Sequence, residues 1–129
     1  MSFLAKIFVD DSEWRLLHVD FRLSQMTDSQ GKPSSVPSGG SIALTLESTN
    51  ENDLFEWMIQ PTMTKSGKIV FYKRDNMSAL KTLEFKDAAC VEYHEFFQHN
   101  TETPMQIKLT LSARELKLNS SQFKNNWPK

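Results

Sequence analysis

Alternation of apolar and polar residues at every second position, repeated along most of the chain, is the feature that most limits the fold. The clearest run is near the end, where Met105, Ile107, Leu109, Leu111 and Ala113 alternate with Gln106, Lys108, Thr110, Ser112 and Arg114. Successive side chains of a strand point to opposite faces, so this pattern predicts antiparallel strands with one buried and one wet face. About seven or eight such segments, separated by turn signals, predict a mainly β protein built as a small antiparallel β-barrel or a sandwich.

Each of the other strands is predicted from a row of apolar residues that should face the core. In the second strand, His18, Asp20, Arg22 and Ser24 alternate with this row and should face solvent. In the fourth strand both faces carry large side chains, so both should be covered. The predicted rows are Phe3, Ala5, Ile7 and Val9; Leu17, Val19, Phe21 and Leu23; Ile42, Leu44 and Leu46; Ile69 and Phe71, with Val70 and Tyr72 on the second face; Leu83 and Phe85; and Val91, Tyr93 and Phe97.

One segment, STNENDLFEWMIQP, has helical instead of alternating spacing. Asn50 or Asn52 can serve as the N-cap, and Glu51 and Asp53 would lie in the first turn, where acidic side chains favour the helix dipole. Pro61 should end the helix. The apolar residues predict a short amphipathic helix of about two turns that closes one side or end of the barrel. Its predicted core anchor consists of Leu54, Phe55, Trp57 and Met58, with Ile59 beside them.

The segment 24–40, between the second and third predicted strands, is polar and holds three of the four glycines and two of the five prolines. It is termed the arm. Loops longer than about 12–15 residues in compact domains tend to be functional or disordered. Pro33 and Pro37 stiffen the arm, and Asp28 before Gly31 favours an Asx turn. The sequence therefore predicts either a flexible surface loop or a stiff polar arm that reaches another molecule.

Length and charge narrow the class of protein. The 129 residues fit one domain, 1–129. Because 15 Lys and Arg balance 16 Asp and Glu, we expect neither nucleic acid nor a membrane surface as a partner. The single cysteine, Cys90, excludes an intrachain disulfide and fits a reducing compartment. With no signal-peptide core and no apolar run of about 18 residues, we expect a cytoplasmic protein whose export would need no cleavable signal.

Catalytic and metal-binding patterns are weak in this sequence. His18, His94 and His99 lack metal-ligand spacing, and Glu92 and Glu95 should point to opposite faces of one strand. We therefore predict no catalytic residue, no cofactor, no metal and a non-enzymatic β domain. Two alternatives from other classes stay open. A lipocalin-like ligand-binding barrel should enclose a pocket and run as a monomer, and a small hydrolase would need a convergent catalytic constellation.

Five segments, in order, resemble one known family: SFLAK at the start, TDSQGKPSS followed by GG in the arm, LFEWM in the helix, GKIVFYKRD, and PMQIKLTLSARE. Nearly end to end, the chain resembles the Hcp (TssD) tube protein of the type VI secretion system in its Bacteroidetes form. The resemblance implies a small β-barrel with one helix, assembled into hexameric rings that stack into a tube inside a contractile sheath. It also implies a VgrG spike, sheath and baseplate proteins and small effectors as partners, with assembly in the cytoplasm and export through the type VI apparatus.

The resemblance gives the arm a target, because the loop between the second and third strands of such proteins contacts the next ring. It assigns ring stacking to Thr27, Asp28, Gly31, Lys32, Pro33, Ser34, Ser35, Gly39 and Gly40. Met26 and Pro37-Ser38 depart from the usual arm, where more polar or basic residues are expected. Tyr72 and Phe96, aromatic residues at outward positions, are candidates for contacts between ring neighbours. The alternative within the family is an effector chaperone or a divergent paralogue that is not secreted.

Overall fold

The computed structural model describes residues 3–73 and 78–125, except for the side chain of Phe3, whose predicted inward position lies outside the described part. These residues form seven strands and one helix. The strands are β1 (Phe3–Val9), β2 (Ser12–Phe21), β3 (Ser41–Glu47), β4 (Thr64–Lys73), β5 (Ala79–Phe97), β6 (Met105–Leu118) and β7 (Ser121–Lys124). The helix, α1 (Asp53–Ile59), lies between β3 and β4 along the chain.

The strands form one antiparallel sheet in the order β3-β2-β1-β4-β5-β6-β7. An additional pairing joins β3 to β6, with Ile42 opposite Leu111 and Leu46 opposite Ile107. This pairing closes six strands into a barrel, and β7 remains outside the closed ring, paired with the far end of β6. The predicted fold is confirmed: a mainly β protein, a small antiparallel barrel with one short helix and a long connection between β2 and β3.

The apolar rows of β3 and β6 fill the barrel, as their alternation predicts. The same core takes Ile7 and Val9 from β1, Ile69 from β4, and Leu83 and Phe85 from β5, all predicted to face inward. Burial of one such side chain contributes about 1.5–3 kcal/mol, so the packed interior is the main source of stability. The inward side chains of β3 and β6 that are at most 3% exposed are Ile42, Leu44, Leu46, Ile107, Leu109, Leu111 and Ala113.

Strand β4 carries large side chains on both faces. Ile69 is fully buried in the core, and Phe71 packs against it partly buried. On the other face Val70 is buried and Tyr72 is partly buried. The prediction that both faces of this strand are covered is confirmed.

The inward row predicted for β2 is wrong at Leu17 and Leu23, which are 37% and 53% exposed. Between Leu16 and His18 the pairing with β3 shifts by one residue, so Leu17 lies at a β-bulge. Because the side-chain period is two, one extra residue reverses the alternation. Leu23 lies beyond the end of β2, directly before the arm. The core residues of β2 are Trp14 and Leu16 before the bulge and Val19 and Phe21 after it.

The segments around Leu83 and Val91, predicted as two strands, form the single strand β5 of 19 residues. Its pairing with β6 shifts by one residue at Val91, which is 52% exposed. Phe97, at the end of the strand, is also largely exposed. The predicted inward positions of Val91 and Phe97 are therefore wrong, whereas Tyr93 does pack against the core.

Helix α1 has Asn52 at its N-cap and Gln60 at its C-cap, and it ends before Pro61 as predicted. The Asn52 side chain makes no capping hydrogen bond. After the helix the chain turns back, and the Trp57 indole N–H donates to the Met63 carbonyl at 3.2 Å. This bond ties the helix to the segment that leads into β4.

The buried stripe of α1 is narrower than predicted. Leu54 and Trp57 are 3% and 1% exposed, and Met58 packs partly buried against the core. Phe55 is half exposed, and its ring meets Tyr93 edge-on with centroids 5.6 Å apart. The helix packs mainly on β5, so only positions spaced three and four apart turn inward. The assignment of Phe55 to the core anchor is therefore wrong.

Candidate functional site

The arm is a narrow hairpin that projects from the barrel. It begins at Ser24, separated by two residues from the end of β2, and returns to the barrel at Ser41; every residue from Arg22 to Ser38 is exposed. Near the barrel, the Ser24 N–H donates to the Ser38 carbonyl at 2.9 Å, and the Ser38 N–H donates to the Ser24 carbonyl at 2.7 Å. The two sides of the arm therefore hold each other through reciprocal backbone bonds.

Farther out, serine side chains and backbone continue this pairing. The Ser34 N–H donates to the Met26 carbonyl at 2.7 Å, and the Ser35 hydroxyl accepts from the Met26 N–H at 3.1 Å. Thr27 and Pro33 form the last bridge before the tip. Ser34 and Ser35, predicted as ring-contact residues, thus also support the arm's own structure.

The tip, residues 28–32, is organised by one carboxylate. Asp28 Oδ1 accepts from the N–H of Gln30 at 2.9 Å and from the N–H of Lys32 at 3.0 Å. A bond from an Asp side chain to the N–H two residues later is an Asx turn, so that prediction is confirmed. Gly31 has φ 86°, and a Cβ added there would meet nothing within 4 Å. Only backbone strain, without crowding, would oppose a side chain at this position.

Gly39 and Gly40 lie at the root of the arm, against the barrel. Gly40 is buried, has φ 96°, and its carbonyl accepts from the Ala113 N–H of β6 at 2.7 Å. A Cβ at Gly40 would collide with the Ala113 carbonyl and with the Asn125 side chain. The assignment of Gly40 to a ring contact is corrected accordingly: it is buried in its own subunit and supports the arm. Asn125, which the sequence analysis did not single out, joins this root.

The outer surface of the arm combines zero net charge with two exposed apolar side chains. Met26 and Val36 are 72% and 81% exposed. Asp28 and Lys32 are the charged residues of segment 24–40, and they cancel. The arm therefore offers apolar contacts, hydroxyl groups and little electrostatic attraction to any one sign of charge.

Two side chains with raised pKa values lie in β5, and neither forms a reactive site. Burial raises the pKa of the Cys90 thiol to about 11. The thiol donates a hydrogen bond to the Glu92 carbonyl at 3.6 Å. Burial and a 2.9 Å hydrogen bond to the Glu95 carboxylate raise the pKa of the Tyr93 hydroxyl to about 12. Both groups are protonated at pH 7, so Cys90 lacks the thiolate form that a nucleophile needs.

Residues 3–73 and 78–125 contain no group of three His, Cys, Asp or Glu side chains that could hold a metal ion. His18, His94 and His99 are exposed and lie on β2, on β5 and in the β5–β6 connection. Over the same residues, no helix has the length and apolar character needed to cross a membrane.

An open groove of about 600 Å³ crosses the outer face of the sheet from β1 to β7. Its wall alternates in charge, with Lys68 opposite Glu84 and Glu84 opposite Lys117. A lipocalin-like barrel would hold its ligand inside the barrel. The described barrel interior is instead filled by packed side chains such as Phe85 and Leu109, which disfavours that alternative.

These features define a class of protein: a closed antiparallel β-barrel with a packed interior and an ordered hairpin arm between β2 and β3. The model of the family "Hemolysin coregulated protein Hcp (TssD)" matches residues 1–128. The chain therefore belongs to the Hcp (TssD) family of type VI secretion tube proteins. No curated protein matches the sequence.

Solved structures agree with this assignment. Hcp1 from Flavobacterium johnsoniae is 38% identical, with a TM-score of 0.90 over 95% of this chain and 99% of that chain. An Hcp1 from E. coli EAEC 042 has a TM-score of 0.79 at 11% identity, covering 98% of this chain and 100% of that one. Hcp1 from Salmonella typhimurium has a TM-score of 0.75 at 13% identity, covering 95% and 92%. The last two likenesses show the shared fold alone.

Proposed function

We propose that this chain is the repeating subunit of a type VI secretion inner tube. Six copies would form a ring with head-to-tail neighbours, and the arm of each copy would join its ring to the next. One observation carries this proposal: the arm is an ordered hairpin whose outer part, Ser24 to Ser38, is exposed on its own subunit. Membership of the Hcp family supports the same function.

The structure of the arm suits a contact between identical subunits. Its backbone groups are already paired near Ser24, Met26 and Asp28, so little ordering entropy would be lost on binding. The apolar side chains of Met26 and Val36 would lose exposed area in the contact. Zero net charge means that neighbouring arms would not repel one another.

Contacts between ring neighbours would use other exposed apolar groups. Phe97, at the end of β5, and Met105, at the start of β6, lie opposite each other and are 65% and 41% exposed. Phe96 lies on the opposite face of β5 from Phe97. Its ring centroid is 5.5 Å from that of His94 and 5.7 Å from the Lys108 ammonium. Head-to-tail rings need two different complementary patches on each subunit, and aromatic residues are enriched at such interfaces.

The remaining parts of the proposal follow from the family resemblance. The whole chain, 1–129, would act as one Hcp-like domain without catalysis or cofactor. A VgrG spike, sheath and baseplate proteins would be its partners, and small effectors would travel in the ring lumen. Rings would assemble in the cytoplasm and leave through the type VI apparatus without a signal peptide.

The test replaces Thr27 through Ser35 with a short Gly-Ser link. These residues bury little against the barrel, so the variant should fold and form rings of normal mass by light scattering. Stacked rings in electron microscopy and secretion should be lost, because the contact between rings is removed. Ser29→Ala, a small change at the exposed tip, is the control and should stack normally.

Two results would contradict the proposal. Normal stacks and secretion from the loop-replaced protein would refute the role of the arm, even with the ring confirmed. A monodisperse wild-type monomer at micromolar concentration and physiological salt would refute the ring.

A further inference from the structure

We infer that Asn125 positions the arm: its carboxamide latches the arm root to β6 and so sets the direction in which the arm leaves the barrel. The latch is a feature of the single chain. Only its consequence for ring stacking rests on the proposed function.

Three hydrogen bonds define the latch. Asn125 Nδ2 donates to the Gly39 carbonyl and to the Ala113 carbonyl, both at 2.9 Å. The Asn125 backbone N–H donates to the Arg114 carbonyl at 2.8 Å. One side chain that follows β7 therefore connects the returning side of the arm to a strand of the closed barrel.

Asn125 lies where the β3–β6 pairing ends and the β6–β7 pairing begins. Strand β3 pairs with β6 up to Ser112, and β7 takes the same side of β6 from Glu115 onward. Asn125 lies between these two pairings, bonded on one side to the arm and on the other to β6. It thus holds the arm at the point where the β3–β6 ladder ends.

Because Gly40 has no side chain, the Asn125 carboxamide has room at the arm root. A Cβ on Gly40 would collide with Asn125 Nδ2 and with the Ala113 carbonyl. On the other side of the root, a Cβ on Gly39 would collide with the Leu23 side chain. The two glycines let both sides of the arm and the carboxamide approach closely.

The chemistry of the latch requires the two N–H donors of a carboxamide. An Asp side chain has nearly the same shape, but at pH 7 it only accepts hydrogen bonds. Asn125→Asp would place a negative charge against the Gly39 and Ala113 carbonyl oxygens, so both bonds would be lost and replaced by repulsion. When that carboxyl is protonated at low pH, it regains one donor.

The experiment compares Asn125→Asp with wild type by hydrogen exchange, light scattering and electron microscopy. Amide protection across the arm, reported by Ser24 and Ser38, should fall about tenfold or more, while the core amide of Leu44 keeps its protection. Rings should form, and their stacking should weaken. At a pH low enough to protonate the new carboxyl, arm protection relative to wild type should partly recover.

Asn100→Asp is the matched control. It makes the same amide-to-acid change in the exposed β5–β6 connection, which adjoins the Glu47 end of the β3–β6 ladder, whereas the arm root adjoins its Ser41 end. Its arm protection should equal that of wild type. If Asn125→Asp does not fold, Asn125→Ala gives the same comparison without the charge.

Unchanged arm protection in Asn125→Asp, or an equal loss in Asn100→Asp, would overturn the latch. A loosened arm with normal stacking would support the latch and count against the proposed role of the arm. The two ideas can therefore fail separately.

Discussion

Trp57→Ala should be among the most damaging single substitutions in this protein. Trp57 is 1% exposed, and its indole N–H is bonded to the Met63 carbonyl at 3.2 Å. Truncation of a buried Trp costs about 3–5 kcal/mol, through lost apolar burial and the cavity that remains. An unfolding entropy of about 2.1 cal/mol/K per residue converts this loss into a melting temperature lower by about 10–20 °C for a chain of 129 residues.

Phe55→Ala is the matched control on the same helix. Phe55 is half exposed, and its main ring contact is the edge-on pair with Tyr93, which is worth about 0.5–1.5 kcal/mol. Both variants should be melted at one protein concentration, because assembly stabilises the folded state by mass action. Calorimetry or circular dichroism then gives the two shifts side by side.

The reasoning fails if Trp57→Ala melts within a degree or two of wild type, or if the two variants shift equally. Either result would mean that the buried stripe of α1 does not run through Trp57. Trp57→Phe separates the contributions, since it keeps most of the apolar area and removes the bond to Met63.

Two further predictions concern backbone strain and thiol chemistry. Gly31→Ala should cost about 1 kcal/mol and loosen only the arm tip, as measured by hydrogen exchange. Gly40→Ala should also lower the melting temperature of the barrel, because a Cβ at Gly40 has no space. Equal effects of the two variants on the melting temperature would contradict this. Cys90 should react with iodoacetamide at pH 8 about a hundredfold more slowly than an unfolded-state thiol, because its pKa of about 11 lowers the thiolate fraction. Reaction at the unfolded rate would mean that Cys90 is exposed.

The strands were predictable wherever the alternation runs without interruption. In β3 and β6 every apolar residue of the predicted rows but Met105 is buried. The errors at Leu17 and Val91 have one cause, since each lies at a bulge that adds one residue. A bulge has no fixed sequence signature, and around Leu16 and Leu17 either register gives an acceptable apolar row. Only the pairing with the neighbouring strand decides between them.

The arm divides into a part that local sequence predicts and a part that it does not. The tip depends on Asp28 and on residues at most four positions away, so its Asx turn could be predicted from the residue types. The root depends on Asn125, which is 86 residues away from Gly39 along the chain. A bond of that range exists only once β7 has been placed beside β6, so the sequence pattern carries no sign of it.

The order of the arm bears on how a polar segment would serve in the proposed contact between rings. Fixing the backbone of one residue costs about 1–2 kcal/mol in conformational entropy. For a flexible loop, ordering the 17 residues of segment 24–40 on binding would exceed what a small contact can return. In this chain the arm is already ordered when the subunit folds, so the entropy loss does not fall on binding. The bonds that order it are the reciprocal pair of Ser24 and Ser38, the Asp28 turn and the Asn125 carboxamide. In the proposed contact, burial of the two exposed apolar side chains of the arm, Met26 and Val36, would then contribute directly to binding.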